Sequence, residues 1–292
     1  MAKYIGTYAT SGDVQTALDN QELSRPFIAY TTDNEKVIYG ANIDKAEVGD
    51  IVVYSVADDL LHYIKQADYN TTSYPAASYV PVGVVAYSQN DDTILGPSGE
   101  ITFIGLNWLD KHSPDNGRNS KQTVEWGYSN FDIPELTNYA NSGTAITDMN
   151  GKANTEIVLQ YATAQTDWRT ASAITANNEA GYYTAFECAW RYHTSGTVQG
   201  DWYIPACGQV WKSVKTQTII DTISAGYALL GRTGNDYIMG KTRFGTSTEQ
   251  RNENAWSLKD GSYPNCYFTS QHKWSGSDYS VRPYCSKLMT RI

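Results

Sequence analysis

Charge is scarce in this sequence, and its sign is unbalanced. Asp, Glu, Lys and Arg make up 18% of 292 residues, and 22 Lys and Arg stand against 31 Asp and Glu, a formal charge of -9. No run of basic residues occurs, which argues against a surface that tracks nucleic-acid phosphates. Long apolar runs are missing as well. No stretch approaches the roughly 18 residues of a membrane helix, and the opening MAKYIGTYATSGDVQ has no apolar core of a secretory signal. Neither export nor membrane insertion is expected from these features. Cysteine is nearly absent: Cys188, Cys207, Cys266 and Cys285 all follow residue 180, at spacings of 19, 59 and 19 that fit no zinc or CxxC pattern. Buried thiols are the expectation, with one or two disulfides as the alternative.

What is abundant is aromatic. The residues AVILMFWYC form 41% of the chain and aromatics 13%, with 23 Tyr, 8 Trp and 6 Phe. Such a chain buries a core, because disordered sequences are charge-rich and aromatic-poor. Its length makes one large or two modest domains. Tyr in excess, alongside Asn, Thr, Ser and Gly, is also the composition of adhesins, paratopes and virion surface proteins, where rigid amphipathic rings supply contact area.

The chain has two textures. From residue 26 to about 88, short β-branched or aromatic runs alternate with turns: Phe27-Ile28-Ala29-Tyr30, Lys36-Val37-Ile38-Tyr39, Asp50-Ile51-Val52-Val53-Tyr54, Leu61-His62-Tyr63-Ile64 and Val82-Gly83-Val84-Val85-Ala86-Tyr87. Asp33-Asn34 and Val48-Gly49-Asp50 supply turn signals. A small β domain over 1–90 follows, preceded by a short helix from Ser11 to Leu23 with Val14 and Leu18 inward. Residues 88–100, polar and bearing Gly and Pro, read as the linker to a second domain over 95–292. Within 101–170 strands and long polar loops are expected, and Lys111 to Gln122 reads as an exposed excursion.

Helical spacing is clearest from Asn178 to His193, where Tyr183, Phe186 and Trp190 recur at three- and four-residue intervals. After Asp201-Trp202-Tyr203-Ile204-Pro205, a second helix begins near Gly208 with Val210, Trp211 and Val214 inward. From Gly231 onward short strands return. The predicted class is α+β: a small N-terminal β domain, then a domain of two helices and short antiparallel strands.

Two sets of motifs carry a resemblance. Gly200-Asp201-Trp202-Tyr203-Ile204-Pro205, Ser247-Thr248-Glu249, Ala255-Trp256, Gly261 and Val281-Arg282-Pro283 follow one another in an order that resembles C-type-lectin-like domains. Such domains occur in Bacteroides phage virion proteins and in the variable proteins of diversity-generating retroelements. Pro26-Phe27-Ile28-Ala29-Tyr30, Val37-Ile38-Tyr39, Gly49-Asp50-Ile51-Val52 and Pro81-Val82-Gly83-Val84-Val85 are similar to an N-terminal module of Bacteroides phage structural proteins, crAss-like phages included. Where that lectin-like family places Ser and Glu at the start of the second helix, this chain has Ala206-Cys207-Gly208-Gln209, so the helix cap must come from elsewhere.

Nothing in the sequence assembles a catalytic site. Nucleophile elbows, HExxH, P-loops and dinucleotide fingerprints are missing. His62, His112, His193 and His272 are scattered, and Asp58-Asp59 and Asp91-Asp92 are adjacent rather than set across a cleft. Formylglycine-generating enzymes share the wider lectin-like fold, but these cysteines do not reproduce their arrangement. The Glu-Pro-Asn and Trp-Asn-Asp elements of calcium-dependent lectins are not found. No enzyme, cofactor or metal is expected.

Recognition is the better case. Between Gln250 and Tyr279 the chain offers Arg251, Asn252, Asn254, Tyr263, Asn265, Tyr267, Trp274 and Tyr279, set among Ser and Gly. Flanked by Val281 and Pro283, Arg282 is expected to make a folded-in ion pair or backbone contact. The resemblance implies that the 250–279 segment displays ligand-contacting side chains, while Trp256 belongs to the core. It further implies a virion surface subunit assembled in the host cytoplasm, either a head fibre or a capsid decoration protein. The 1–90 module would attach or oligomerise, and the partners would be other virion proteins, further copies of the chain, and a host surface glycan or protein. A tail-fibre receptor binder and a host-encoded protein diversified by a retroelement are the competing expectations.

Overall fold

The computed structural model describes residues 3–8, 27–31, 36–39, 46–87, 100–120, 122–127, 132–164, 183–232, 244–259, 267–273, 279–287 and 289–292. The expected helix from Ser11 to Leu23, the Asp33-Asn34 turn, Cys266 and nearly all of the 88–100 linker lie outside them. The chain divides into two compact units, Met1–Phe103 with Ser286–Ile292, and Ile104–Cys285. Each is a mixture or assembly of short strands, with all five helices of the described residues in the second. The division therefore falls later than the expected linker, and the last seven residues return to the first unit.

In the first unit, β1 (Lys3–Tyr8), β2 (Phe27–Thr31) and β3 (Lys36–Tyr39) form one sheet, β1 parallel and β3 antiparallel to β2. A second sheet centres on β4 (Ile51–Ser55), which pairs antiparallel with β5 (Leu60–Ile64) and β6 (Tyr79–Tyr87). The Val48-Gly49-Asp50 turn forms as expected, with Gly49 at φ 89°. Its carboxylate holds it closed: Asp50 accepts from Glu47 N at 2.7 Å and Gln66 N at 3.0 Å, and pairs with Lys65 at 3.2 Å. Buried carboxylates persist where donors converge on them. β13 (Thr290–Arg291) returns parallel to β5, and Arg291 reaches Asp68 at 2.6 Å. Pairing so distant in sequence leaves no local signal, which is why the C-terminal return is invisible to the eye reading the chain.

The second unit closes on its own ends. Gly105 at the end of β7 (Ile101–Gly105) donates its N–H to Pro283, Leu109 to Val281 and Val124 to Tyr279, each at 2.9 Å. β8 (Trp202–Tyr203) pairs antiparallel with Tyr284 and Cys285 of β12 (Tyr284–Lys287). β9 (Phe244–Arg251), β10 (Asn254–Lys259) and β11 (Tyr267–His272) make an antiparallel sheet in the order β11-β10-β9.

Five helices replace the two expected. α3 (Thr184–Arg191) and α4 (Cys207–Val214) are the predicted pair. In α3 the buried stripe runs through Thr184, Ala185, Phe186, Cys188 and Ala189. This stripe turns inward, which swings Trp190 to the flank, where it is 44% exposed rather than buried. α1 (Ser142–Ala145) and α2 (Gly151–Ala164) stand where loops and strands were expected. The buried positions of α2 are Gly151, Asn154, Thr155, Val158 and Ala162. Their spacing is helical, but two are polar and one is glycine, so no apolar stripe shows in the sequence. α5 (Gln217–Leu229) is capped by Thr216, whose hydroxyl accepts from Ile219 N at 3.3 Å. No helix among the described residues is long and apolar enough to cross a membrane.

The cap of α4 does come from elsewhere. Cys207 N donates to the Thr248 hydroxyl at 2.8 Å, Gly208 N to the Asp148 carbonyl at 2.8 Å, and Ala206 N to Gln209 Oε1 at 3.0 Å. Three of the orphan donors of the helix start are thus satisfied by tertiary partners and by its own first turn. Close approach demands the glycine: a Cβ on Gly208 would stand 2.4 Å from the Asp148 carbonyl oxygen and 2.6 Å from that of Ile146. Gly208→Ala is expected to destabilise the fold by about 1–3 kcal/mol, read as a lowered midpoint in urea denaturation with an unchanged slope.

Candidate functional site

The sheet β9-β10-β11 bears the segment that the sequence marks for recognition, and its construction separates frame from display. Along β9, Thr246, Ser247, Thr248 and Glu249 are all buried. Thr246 donates to the Trp256 carbonyl at 2.7 Å, and its own carbonyl accepts the Trp126 indole N–H at 2.7 Å. Ser247 N donates to Pro205 at 2.9 Å. Thr248 donates to Asp148 Oδ2 at 2.8 Å. Trp256 is core, as expected, with its indole N–H on the Tyr139 carbonyl at 2.8 Å.

Glu249 and Lys273 meet inside this frame. Both side chains are wholly buried and in direct contact, and the Trp126 ring covers the ammonium with its centroid 4.9 Å away. Burial pushes the Glu249 carboxyl up to about 7, against the opposing pull of Lys273 and of the Ile133 N–H. Burial likewise drives Lys273 below its ordinary range, opposed by Glu249. Arg282 makes the backbone contacts expected of it. It donates to the Gly105 and Leu106 carbonyls at 3.2 and 2.6 Å, with its guanidinium 4.7 Å from the centres of both the Trp108 and Tyr227 rings.

The display elements are fewer than the sequence promised. Arg251 and Asn252 stand exposed at the β9–β10 turn, Arg251 at 61% with Glu253 3.4 Å from its guanidinium. His272, paired with Asn254 across the sheet, is exposed beside them. Tyr267 is 52% exposed, with Lys259 5.8 Å from its ring centre. It pairs with the far end of β10, roughly 17 Å along the strand from the Arg251 end. One strand's length therefore splits the expected set into two groups.

Two members leave the face altogether. Asn254 is 6% exposed, its amide oxygen oriented to Arg251 Nη2 at 3.2 Å and its nitrogen to the Glu253 carbonyl at 3.1 Å, so it shapes the turn. Tyr279 is 0% exposed, with its hydroxyl on the Ala255 carbonyl at 3.3 Å and its ring against Gly245. The whole run from Tyr279 to Cys285 is buried, so this ring has no outward side to occupy. Tyr263, Asn265 and Trp274 lie outside the described residues. What the sequence reading missed is Lys273, whose burial has no local signal because its partner lies on β9.

Among the described residues no group of three or more His, Cys, Asp or Glu is arranged to hold a metal ion. The buried acids are held by protein: Asp148 by Asn154 at 2.9 Å, Thr248 and the Asn150 N–H, and Asp110 by Arg118 at 2.5 Å. No protein family, curated protein or solved structure matches the chain.

Cys188 and Cys207 are free and buried, in accord with the thiol expectation, and Cys285 is buried as well. Burial pushes the Cys207 thiol up to about 12, despite hydrogen bonds with Thr246 and Thr248, and pushes Cys188 up as well. The thiolate is the reactive form, so native protein at pH 8 should leave peptides bearing Cys188 and Cys207 unlabelled by iodoacetamide. The same peptides should label fully in guanidinium, as mass spectrometry of digests would record.

Proposed function

We propose that this chain is a bacteriophage virion surface subunit, a head fibre or capsid decoration protein, whose second unit is a lectin-like domain that contacts the host surface or another virion protein. The observation that carries the reading is the division of roles on β9, where Thr246 to Glu249 are internal while Arg251 and Asn252 project from the turn that follows. The motifs of the lectin-like resemblance supply frame: Trp202 donates to Thr197 at 2.9 Å, Ile204 N to Thr155 at 3.0 Å, and Thr248 and Arg282 are interior. A display turn on a frame of this kind tolerates change in its exposed side chains, as a recognition surface requires.

The supporting architecture is a unit whose first and last segments hydrogen-bond together, with helices α3 and α4 and a three-stranded antiparallel sheet between them. Two of its five described helices and its antiparallel strands correspond to the elements that the lectin-like resemblance implies. The first unit carries the phage-module motifs and takes the attachment or oligomerisation role in this reading. Arg, Asn and an aromatic ring suit hydrogen bonding and stacking with a glycan or a peptide. An enzymatic reading that used Glu249 as a cleft acid fares worse, since this side chain is sealed from solvent beside Lys273.

An averaged cryo-EM map of the native particle tests the location. Density for this chain on the capsomers, with the first unit inward, is the expected result. Density at the tail would transfer the chain to a tail fibre, and its absence from every particle would favour a host-encoded binding protein. For the surface itself, Arg251→Ala combined with Asn252→Ala should weaken adsorption of the protein to host cells at least tenfold. Stability should change by less than about 0.5 kcal/mol, as befits exposed positions.

A further inference from the structure

The Glu249–Lys273 pair is placed for chemistry rather than for charge alone. Both side chains have no exposed surface, they touch, and Trp126 closes over the Lys273 nitrogen. Keeping two opposite charges in such a site is unfavourable, because desolvation offsets much of their attraction. Proton transfer from the ammonium to the carboxylate removes both charges and leaves a neutral amine against a carboxylic acid. Burial biases each group in that direction. A neutral amine is a nucleophile, and a protonated carboxyl is an acceptor that can release water.

The surroundings supply the other parts. The Ile133 backbone N–H acts on the Glu249 carboxyl in favour of its charged form, and Glu249 Oε2 makes no hydrogen bond of its own. Asp132 lies close enough to act on both Glu249 and Lys273 through its charge. Asp132 itself is exposed, and it accepts from the Asn138 amide at 3.0 Å. The two reacting groups are held on β9 and immediately after β11, where Lys273 N also donates to the Glu253 carbonyl at 3.0 Å. Groups fixed in contact behave as though at an effective concentration of roughly 10⁵–10⁸ M.

We propose that Lys273 and Glu249 form an intramolecular isopeptide bond that staples the end of β11 to β9. In the step, the Lys273 nitrogen attacks Cδ of the protonated Glu249 carboxyl, and the N–Cδ bond forms. The Ile133 N–H stabilises the oxyanion of the tetrahedral intermediate. The Asp132 carboxylate takes a proton from the attacking nitrogen and returns it to the departing hydroxyl. The Cδ–O bond breaks and one water leaves. From ammonium and carboxylate, the products are one neutral amide and one water, with no oxidant, reductant or cofactor involved. The crosslink encloses the β9–β10 turn that carries Arg251 and Asn252, so the display turn is braced covalently. The inference does not rest on the virion reading, since the chemistry is internal to the second unit.

Intact-mass spectrometry of the purified full chain under denaturing conditions tests it. The expected mass is that of the sequence less one water, and tryptic mapping should show the peptide containing Glu249 joined to one with Lys273 uncleaved. Lys273→Met should restore the full mass of its own sequence, which can be read even from insoluble protein. A wild-type chain at its full mass overturns the proposal and leaves a buried ion pair. A water loss that persists in Lys273→Met, or that maps to other peptides, overturns it equally.

Discussion

One buried carboxylate organises the second unit. Asp148 Oδ2 accepts from Asn154 of α2 and from Thr248 of β9, Oδ1 accepts from the Asn150 N–H, and the Asp148 backbone carbonyl caps α4 through Gly208. Thr248 passes the connection on, because its hydroxyl donates to Asp148 and accepts from Cys207 N. Two helices and a strand are therefore tied at one point by short polar bonds. The partners Asn154, Thr248, Cys207 and Gly208 are buried with Asp148, so losing one of them strands the rest at about 1–3 kcal/mol apiece. Hydrophobic contact alone would let these elements slide. Directional bonds set the position of β9 to within a fraction of a residue, and the sheet that follows inherits that position.

This polar interior explains what could be read in the sequence and what could not. The strands around Ile51, Leu61 and Val84 announce themselves because their buried residues are β-branched or aliphatic. α4 is visible through Val210 and Val214. α2 is hidden because Asn154 and Thr155 occupy buried positions that a periodicity argument reserves for apolar residues. Their burial is satisfied only by partners far along the chain: Asn154 by Asp148 and Ser247, and Thr155 by a bond from Ile204 N. α5 is a different case, since Ile220, Ile223 and Tyr227 do carry helical spacing and Thr216 is an ordinary cap.

The segment proposed for recognition stands out in the sequence as a segment and not as a site. Composition marked 250–279 correctly as rich in Arg, Asn and Tyr, but composition carries no information on which side of a strand a residue faces. Register decides that, and it puts Tyr279 in the core, Asn254 under the turn and Tyr267 at the far end of β10. Lys273 shows the converse. A lysine in a polar, Ser-rich stretch reads as solvated, and only the return of β11 beside β10 brings it under Trp126 to Glu249.

The two observations have a common physical logic. A surface that recognises a ligand through a short turn needs that turn held still, because ordering loose side chains on binding subtracts roughly 0.5–1.5 kcal/mol for each one immobilised. Here the turn is short, and both strands leaving it are anchored below. β9 is held through Thr248 and Glu249, and β10 through Trp256 on the Tyr139 carbonyl. The rigid part is polar and aromatic rather than aliphatic, so its geometry is specified by hydrogen-bond direction as well as by volume. The side chains of Arg251 and Asn252 project from this frame, and the polar contacts of Arg251, to Glu253 and Asn254, stay within the turn, so changing them leaves the anchors below intact.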